Sequence, residues 1–290
     1  MNSYHLFQGK KVTLMCCSDC NVNCRHCYLS FNGNFSEEEL YDCAKHLSEE
    51  GKKVYLNGSE VLLHQEYLQT FKMLGQFKAM TNGLVFKDNL SYLDRLQDYG
   101  IDTYNISYHF DLQNIISPVS NVFLKQLFKE IIARNLKFTI NCTISTINKD
   151  SIADYCQEAY SLGACRIRFT NLLNTGNAKQ LERSLFLNVT QAQEVLESVR
   201  KCRLKYDKDE FYIERCGSFC ASSTDHKFRC PAGVDSVVIT PDKKIYSCVF
   251  LAMPGNEIGY YKDGQIYISD EFKNNQTVCL ARSFLNGPYL

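Results

Sequence analysis

Three cysteines stand close together near the start of the chain, in the segment Cys20-Asn21-Val22-Asn23-Cys24-Arg25-His26-Cys27-Tyr28. Thiolates are the usual protein ligands of iron–sulfur clusters, and the C-x3-C-x2-C spacing lets one short loop bind three corners of a cubane cluster. The fourth iron then receives no ligand from this loop. The pattern therefore predicts an iron–sulfur site with one open iron.

Zinc is the main competing metal for this loop. A structural zinc site takes four protein ligands, and its usual signature is two C-x2-C pairs. Among the three cysteines of the loop, only Cys24 and Cys27 form such a pair. A coincidental run in a chain with 15 cysteines is the other alternative.

The Cys20 loop, followed by the aromatic Tyr28, resembles the signature loop of the radical S-adenosylmethionine (radical SAM) enzymes. The resemblance implies a [4Fe–4S] cluster ligated by Cys20, Cys24 and Cys27, with S-adenosylmethionine chelating the open iron through its amino and carboxylate groups. One electron would then cleave the sulfonium and yield a 5′-deoxyadenosyl radical, which abstracts a hydrogen atom from the substrate. Tyr28 would lie beside the adenine. Reduced flavodoxin or ferredoxin is the implied electron donor.

Gly58-Ser59-Glu60 corresponds in place to the Gly-Gly-Glu-Pro segment of that family, which binds the methionine amino group of the cofactor. Ser59 replaces the second glycine and Val61 the proline, so the approach of the backbone to the cofactor is altered. Glu60 keeps the carboxylate that accepts hydrogen bonds from an ammonium group. Without the resemblance, the segment reads as an ordinary turn between a strand and a helix.

Three further positions resemble cofactor contacts of the family. Asn82 lies in a Thr-Asn-Gly turn, Ser107 ends a predicted strand, and Leu173 follows the last predicted barrel strand, where it would lie against adenine. The alternative for Asn82 is simple turn chemistry, because Asn-Gly favours positive φ.

Four residues are speculative catalytic or substrate-binding candidates. His109 follows a strand end, where a satisfied polar residue is the alternative, and Cys142 would serve an epimerase as a hydrogen-atom donor or else be a core thiol. Arg166 and Arg168 share one face of a strand at period two. They would bind a carboxylate of the cofactor or of a peptide, bind a phosphate, or face solvent.

A second cysteine constellation occupies the last ninety residues. Cys230 precedes the alternating run Ser236–Thr240, the turn Pro241–Lys244 and the run Ile245–Cys248, which together predict a β-hairpin with a cysteine at each outer end. This resembles the hairpin of SPASM and twitch domains, which bind auxiliary [4Fe–4S] clusters. The resemblance implies the ligands Cys220, Cys230, Cys248 and Cys279, with Cys216 as a substitute for Cys220. Only Cys279 follows the hairpin, which favours a single-cluster, twitch-like domain; a zinc-bound or metal-free hairpin is the alternative.

These residues need a scaffold, and the chain alternates strand and helix patterns. Strands are predicted at Lys11–Met15, Lys53–Asn57, Phe77–Thr81, Thr103–Tyr108, Lys137–Ile144 and Cys165–Thr170, and helices at 36–50, 67–74, 89–99, 119–134, 150–162 and 190–204. Six such repeats predict a parallel α/β sheet and resemble the partial (β/α)6 TIM barrel of radical SAM enzymes. We expect this barrel over residues 1–205 and a small cysteine-rich β-hairpin/helix domain over 206–290.

Composition excludes several function classes. The chain has 32 basic and 32 acidic residues, and no basic run interleaved with aromatics indicates nucleic-acid binding. No signal peptide or apolar stretch of membrane-spanning length is present. Disulfide scaffolds are usually smaller and secreted, so reduced thiols that bind iron explain the cysteines better. We therefore expect a soluble cytoplasmic protein that does not associate with membranes.

Radical SAM enzymes with such appendages most often modify ribosomally made peptides by crosslinking, epimerisation or oxidation. The resemblance therefore implies a peptide substrate. Because the cluster loop begins at Cys20, we expect leader binding by the barrel, the C-terminal domain or a separate protein. The alternatives are a radical SAM enzyme of cofactor biosynthesis that acts on a small molecule or nucleotide, and a non-catalytic iron–sulfur or zinc redox sensor.

Overall fold

The alternating strand and helix patterns fold into parallel strands covered by helices. The computed structural model describes residues 3–215, 219, 229–274, 276 and 279–280. The strands are β1 (Tyr4–Leu6), β2 (Lys11–Met15), β3 (Lys53–Asn57), β4 (Lys78–Thr81), β5 (Thr103–Ser107), β6 (Lys137–Ile144), β7 (Arg166–Asn171), β8 (Tyr212–Arg215), β9 (Ser236–Ile239), β10 (Lys244–Tyr246), β11 (Glu257–Lys262) and β12 (Gln265–Ser269). The helices are α1 (Glu37–Glu49), α2 (Leu68–Met73), α3 (Ser91–Asp98), α4 (Gln113–Ile116), α5 (Asn121–Ala133), α6 (Ile152–Ser161) and α7 (Val189–Arg203).

The six predicted strands correspond to β2 through β7. β2 pairs in parallel with β3, while β4, β5, β6 and β7 form a second parallel sheet in that order. β8, which the sequence analysis did not predict, extends the second sheet in parallel beside β7. The protein therefore has a mixed α/β fold built on parallel strands.

A glutamine side chain joins the two sheets between β3 and β4. The Gln76 amide nitrogen donates to the carbonyls of Leu56 at 3.0 Å and Lys78 at 2.9 Å, and its amide oxygen accepts the Leu56 N–H at 2.7 Å. Backbone polar groups inside a protein need hydrogen-bond partners, and here a side chain supplies them where no strand ladder continues. Gln76 thus connects the β2–β3 pair to the second sheet.

The two faces of the second sheet differ in polarity. On one face of β6 and β7, Ile140, Ile144 and Phe169 are fully buried, and α5 and α6 pack against these strands. The opposite face bears polar side chains such as Asn141 and Thr170, as expected when successive residues of a strand point to opposite sides. The core therefore lies between strands and helices, and the polar face lines a concavity.

Local signals set the ends of the first helix as predicted. The Ser36 hydroxyl accepts the Glu39 N–H at 3.2 Å, and the Glu39 carboxylate accepts the Ser36 N–H at 3.1 Å. This capping box satisfies N–H groups that the first helical turn leaves free. Gly51, with φ of 73°, follows the helix end.

The predicted C-terminal hairpin forms from β9 and β10, with Ile239 opposite Ile245. Lys243 adopts φ of 62° in the turn, the conformation for which glycine is usual. β9 also pairs in parallel with β2, so the hairpin continues the sheet that contains β2 and β3. β11, β12 and β1 extend this sheet in antiparallel fashion. The domain boundary after residue 205 stays a prediction.

Among the described residues, no helix has the length and apolarity needed to cross a lipid bilayer.

Candidate functional site

A cavity of about 580 Å³ opens at the carboxyl ends of the parallel strands. Its lining includes side chains from the ends of four strands, namely Met80 of β4, Ser107 of β5, Asn141 and Thr143 of β6 and Thr170 of β7. Parallel α/β folds place their functional residues at this edge, because the loops that follow the strands meet there. The volume suits a small-molecule ligand.

The Cys20 loop follows β2 directly and forms one wall of this cavity. Cys20, Cys24 and Cys27 all line it, so the structure brings the three predicted cluster ligands together. Two hydrogen bonds to other segments hold the backbone of the loop in place. Arg25 N–H donates to the carbonyl of Ile116 at 2.8 Å, and Asn177 N–H donates to the carbonyl of Cys27 at 2.8 Å.

The three thiols are partly shielded from water. Burial raises the pKa of Cys24 to about 11, and it also raises the pKa values of Cys20 and Cys27 above their ordinary value. The Asn82 amide donates to Cys20 Sγ at 3.7 Å, and the Cys24 thiol donates to the Ser117 hydroxyl at 3.8 Å. The thiols are therefore protonated near neutral pH, and metal binding must release these protons.

Cys20, Cys24 and Cys27 offer three thiol donors to the cavity. Within the described ranges, no three His, Cys, Asp or Glu side chains are grouped closely enough to enclose one metal ion. Thiolates are the usual protein ligands of iron–sulfur clusters, so the donor set fits such a cluster.

Cys17 also stands at C-x2-C spacing before Cys20, yet it has a different environment. Its thiol is buried and does not line the cavity, and burial raises its pKa to about 12. A β-carbon on Gly58 would lie 3.0 Å from the Cys17 sulfur. Cys17 thus packs against the predicted cofactor-binding turn.

The turn Gly58–Ser59 lines the cavity beside the Cys20 loop. Ser59 N–H donates to the carbonyl of Cys17 and Glu60 N–H to that of Asp19, both at 3.0 Å. These bonds continue the parallel pairing of β2 and β3 beyond the strand ends. The turn and the start of the cluster loop therefore form one hydrogen-bonded wall.

Glu60 is fully buried and lies behind this wall, since it is not part of the cavity lining. Its Oε2 accepts the Asn82 N–H at 2.7 Å, whereas its Oε1 has no hydrogen-bond partner among the described residues. Burial raises the pKa of Glu60 to about 7, while the Asn82 N–H acts in the opposite direction. An unsatisfied buried carboxylate oxygen is expensive, and a bound cation would relieve that cost.

The remaining predicted cofactor contacts all line the cavity: Tyr28, Asn82, Ser107 and Leu173. Tyr28 packs edge to face against Phe250 with ring centroids 4.9 Å apart, and Leu173 belongs to the same small apolar cluster. The Asn82 side chain also donates to Asn21 Oδ1 at 2.8 Å and accepts the Leu84 N–H at 2.8 Å. Asn82 therefore fixes both its own turn and the first part of the Cys20 loop.

His109 lines the cavity and is almost fully buried. Its Nδ1 accepts the Thr143 N–H at 3.0 Å, which assigns the proton of the neutral ring to Nε2. Nε2 has no hydrogen-bond partner among the described residues. Burial, together with the His26 ring at 4.6 Å, holds the pKa of His109 well below its usual range. His109 can thus offer one fixed N–H donor to a ligand.

The other speculative candidates have different surroundings. Cys142 is fully buried near Cys156 of α6 and does not line the cavity, which speaks against a direct hydrogen-atom transfer. Arg166 and Arg168 do bind a carboxylate, but it belongs to the protein. Both guanidinium groups donate to Glu214 Oε2 on β8, at 3.2 Å and 3.0 Å. Sequence reasoning missed this partner because β8 was not predicted.

The structure describes three of the five cysteines that were predicted as ligands of an auxiliary cluster. Cys230, Cys248 and Cys279 lie within the described residues, while Cys216 and Cys220 lie outside them. The Cys279 thiol hydrogen-bonds to Cys230 and lowers the pKa of Cys230. Cys248 and Cys279 both pack on the cluster of Leu173 and Phe250. Cys230 therefore lies beside Cys279, and Cys248 and Cys279 share one apolar cluster next to the cavity.

Three further cavity residues fall outside the predicted cofactor contacts. Asn177 donates through its side chain to the carbonyl of Cys24 at 3.1 Å and to Asn23 Oδ1 at 2.8 Å. Both amide atoms of Asn141 are buried without hydrogen-bond partners among the described residues. Phe250 reaches the cavity from the segment after the C-terminal hairpin. Only Asn141 had a sequence signal, the alternation of polar and apolar residues along β6.

No protein-family model and no curated protein sequence matches the chain. Among solved structures, Streptococcus suis SuiB bound to S-adenosylmethionine matches with a TM-score of 0.70 and 14% identity, covering 86% of this chain and 62% of SuiB. SuiB bound to precursor peptide SuiA gives 0.68 and 14%, covering 98% and 66%. Native anSMEcpe with bound AdoMet and Cp18Cys peptide gives 0.65 and 15%, covering 88% and 78%. These matches show a shared fold, and the chain spans 62% to 66% of the length of these two SuiB chains.

Proposed function

We propose that this chain is a radical SAM enzyme that abstracts a hydrogen atom from a peptide substrate. The observation that carries the proposal is the convergence of Cys20, Cys24 and Cys27 on one cavity at the carboxyl ends of parallel strands. Two proteins of the same fold, SuiB and anSMEcpe, have been crystallised with S-adenosylmethionine bound. The proposal includes a partial (β/α)6 barrel formed by β2 through β7.

The residues of the cavity fit the two groups that the proposal requires. Cys20, Cys24 and Cys27 would hold a [4Fe–4S] cluster, and S-adenosylmethionine would lie against the turn Gly58–Ser59. When bound and reduced by one electron, this pair supplies a 5′-deoxyadenosyl radical by cleavage of a sulfonium C–S bond, and the radical takes a hydrogen atom from the substrate. The Oε1 atom of Glu60, which has no hydrogen-bond partner among the described residues, is the acceptor that the proposal assigns to the ammonium group of S-adenosylmethionine.

The chain itself orients the ligands and excludes water. Asn82 donates to Cys20 Sγ, and hydrogen bonds to a ligand sulfur tune the metal site. Tyr28, Leu173 and Phe250 form an apolar wall, which keeps solvent away from a reactive intermediate. The neutral His109 presents its Nε2–H, so it serves as a donor that fixes an acceptor atom of a ligand without supplying charge.

A peptide is the favoured substrate. The fold is shared with SuiB bound to precursor peptide SuiA and with anSMEcpe bound to Cp18Cys and Kp18Cys peptides. The cavity lining contains no Asp, Glu or Lys within the described residues, and Arg168 is its one permanent charge there. Such a lining suits the neutral backbone of a peptide. The proposed outcome is a crosslink, an epimerised centre or an oxidised side chain. The proposal places the reaction in the reducing cytosol, with reduced flavodoxin or ferredoxin as the electron donor. It also includes a separate protein that binds the leader of the peptide.

The proposal also includes an auxiliary [4Fe–4S] cluster in a twitch-like C-terminal region. Cys230 is hydrogen-bonded to Cys279, and Cys248 packs on the same apolar cluster as Cys279, which supports three of its four ligands. The fourth, Cys220 or its substitute Cys216, lies outside the described residues.

The test is anaerobic reconstitution with iron and sulfide, followed by iron counting and a dithionite-driven assay for 5′-deoxyadenosine. We expect about eight irons per chain, because each cluster contains four. The Cys20→Ala/Cys24→Ala/Cys27→Ala variant should retain about four irons and form no deoxyadenosine. Cys165→Ala is the matched control, because Cys165 is a partly exposed thiol on the opposite end of β7.

Two outcomes would contradict the proposal. Bound zinc without deoxyadenosine would replace it with a structural or sensor role. Deoxyadenosine formation that a small molecule or nucleotide stimulates, and that no peptide stimulates, would retain the radical chemistry and reject the peptide substrate.

A further inference from the structure

The polar face of the second sheet contains a group of cations below the cavity. We define the cationic patch as Lys78 of β4 together with Arg166 and Arg168 of β7. Lys78 shares its strand face with Met80, and the two arginines share theirs with Thr170, because side chains repeat with period two. Met80, Arg168 and Thr170 all line the cavity, so the patch continues the cavity floor.

The patch has more positive than negative charge. Glu214 is the acidic side chain that contacts it among the described residues, and both arginines donate to the same oxygen, Oε2. Two guanidinium groups therefore share one carboxylate, and Lys78 adds a third positive charge, so the patch has a formal excess of two positive charges. Burial and the nearby Arg166 and Arg168 charges lower the pKa of Lys78, whereas Cys165 and Glu214 act in the opposite direction.

The arginines remain accessible to a ligand. Their side chains are 30% and 28% exposed, and Glu214 is 28% exposed. Each guanidinium has five N–H donors, of which a single carboxylate oxygen can occupy only a part. Arg166 also stacks on the Tyr212 ring at 5.0 Å, so its plane is fixed before a ligand arrives. A pre-oriented guanidinium loses little entropy when it binds a second carboxylate.

We infer that the cationic patch binds a carboxylate of the peptide substrate while a neighbouring residue of that peptide lies in the cavity. Arg168 connects the two, because it both lines the cavity and belongs to the patch. Glu214 acts as an internal competitor that occupies the arginines when no substrate is bound. The inference rests on the proposed function for its peptide substrate, and it adds acidity as a property of that substrate.

The carboxylate can come from an acidic side chain or from a C-terminus, and three labelled ten-residue Gly/Ser peptides separate these sources. The first has two adjacent glutamates and both ends blocked, the second has glutamines instead, and the third has glutamines and a free C-terminal carboxylate. Binding to the reconstituted full chain is measured by fluorescence anisotropy at low salt. We expect the first or the third peptide to bind about tenfold more tightly than the second, because charge-assisted hydrogen bonds discriminate by about that factor.

Variants link this preference to the patch. Lys78→Gln and Arg168→Gln should each weaken binding of the acidic peptide about fivefold and leave the glutamine peptide unchanged. Glu214→Gln should tighten binding of the acidic peptide, because it removes the competitor. This opposite sign keeps the test valid even where an arginine variant folds poorly. Lys201→Gln on the exposed face of α7 is the control and should change nothing.

Equal binding of the acidic and neutral peptides, or acidic-peptide binding that ignores Lys78→Gln and Glu214→Gln, would overturn the inference. Displacement of the acidic peptide by inorganic phosphate at lower concentration than by acetate would overturn it in favour of a phosphate ligand. The deoxyadenosine assay is independent of this measurement. Charge-dependent peptide binding without deoxyadenosine formation would support the cationic patch and reject the radical function. Deoxyadenosine formation without charge-dependent peptide binding would support the radical function and reject the patch as a carboxylate site.

Discussion

Gly176 packs directly against the backbone of Cys27, so closely that a β-carbon on Gly176 would lie 2.3 Å from the Cys27 carbonyl oxygen. The next residue, Asn177, donates its N–H to that same oxygen at 2.8 Å. The turn after β7 therefore fixes Cys27, the last cysteine of the Cys20 loop. No other glycine of the described residues contacts this loop so closely.

We expect Gly176→Ala to displace the Cys20 loop and to reduce reconstituted iron by about four atoms per chain, the content of one cluster. The added methyl group cannot occupy the position of a backbone carbonyl, so either the loop or the turn must move. Gly75→Ala is the matched control, because Gly75 has φ of 60° against 56° for Gly176 and no atom near its β-carbon position. Both variants should lose about 1–2 kcal/mol of stability from the left-handed backbone. Equal iron content in the two variants would contradict the role of this contact.

Gln76→Ala should destabilise the fold by about 2–4 kcal/mol, since it leaves the Leu56 N–H and two carbonyls between β3 and β4 without their partner. Chemical denaturation measures the change. Gln97→Ala is the control, because Gln97 is exposed on α3 and its side chain makes no hydrogen bond in the described structure. A loss below about 1 kcal/mol would show that water or the neighbouring strands replace the Gln76 amide.

The strands and helices of the parallel core could be predicted from the sequence because their signals are local. Apolar runs predict β2 through β7 to within one residue at each end. The Ser36 capping box and the glycine that follows α1 predict the ends of that helix. β8 has four residues and forms only because β7 offers an edge, which no local pattern encodes. The β11–β12 hairpin had a signal that was overlooked, since Asp263-Gly264 separates two alternating runs and both residues adopt positive φ.

In the candidate site too, the residues with a local sequence pattern could be predicted and the long-range contacts could not. The spacing of Cys20, Cys24 and Cys27 predicted the candidate site, because all three cysteines lie on one loop. The clamp of Gly176 and Asn177 is a contact between segments about 150 residues apart, and the Arg168–Glu214 pair depends on the unpredicted β8. Long-range partners of this kind need the fold before they can be recognised.

Glu60 should make the stability of the cofactor-free protein fall as the pH rises. The carboxyl is protonated up to a pKa of about 7 in the folded chain, against 4.5 when it is exposed, so between these values the folded state binds more protons than the unfolded state. Raising the pH through this window therefore costs the folded state about 3 kcal/mol, at 1.36 kcal/mol per pKa unit. Glu60→Gln keeps an oxygen acceptor for the Asn82 N–H and removes the titration.

The measurement is the free energy of unfolding of wild type and Glu60→Gln between pH 4.5 and pH 8. The two curves should meet near pH 4.5 and diverge as the pH rises, with the glutamine variant the more stable at pH 8. Asp88→Asn is the control, because Asp88 is exposed and its side chain makes no hydrogen bond or ion pair in the described structure. Parallel curves for wild type and Glu60→Gln would show that Glu60 is already ionised or already partnered below neutral pH.

Cys230→Ala should remove the proposed auxiliary cluster and leave the Cys20 loop loaded. Cys230 is buried, and Cys279 hydrogen-bonds to it, so its loss removes a ligand and breaks the pair at once. We expect iron to fall from about eight to about four per chain, with deoxyadenosine formation retained in the absence of peptide. Cys43→Ala is the control, since Cys43 is an equally buried thiol in the main core, where a small apolar residue can replace it. The contrary result is an iron content near four per chain in both the wild type and Cys230→Ala. It would mean that Cys230 and Cys279 form a thiol pair without a cluster.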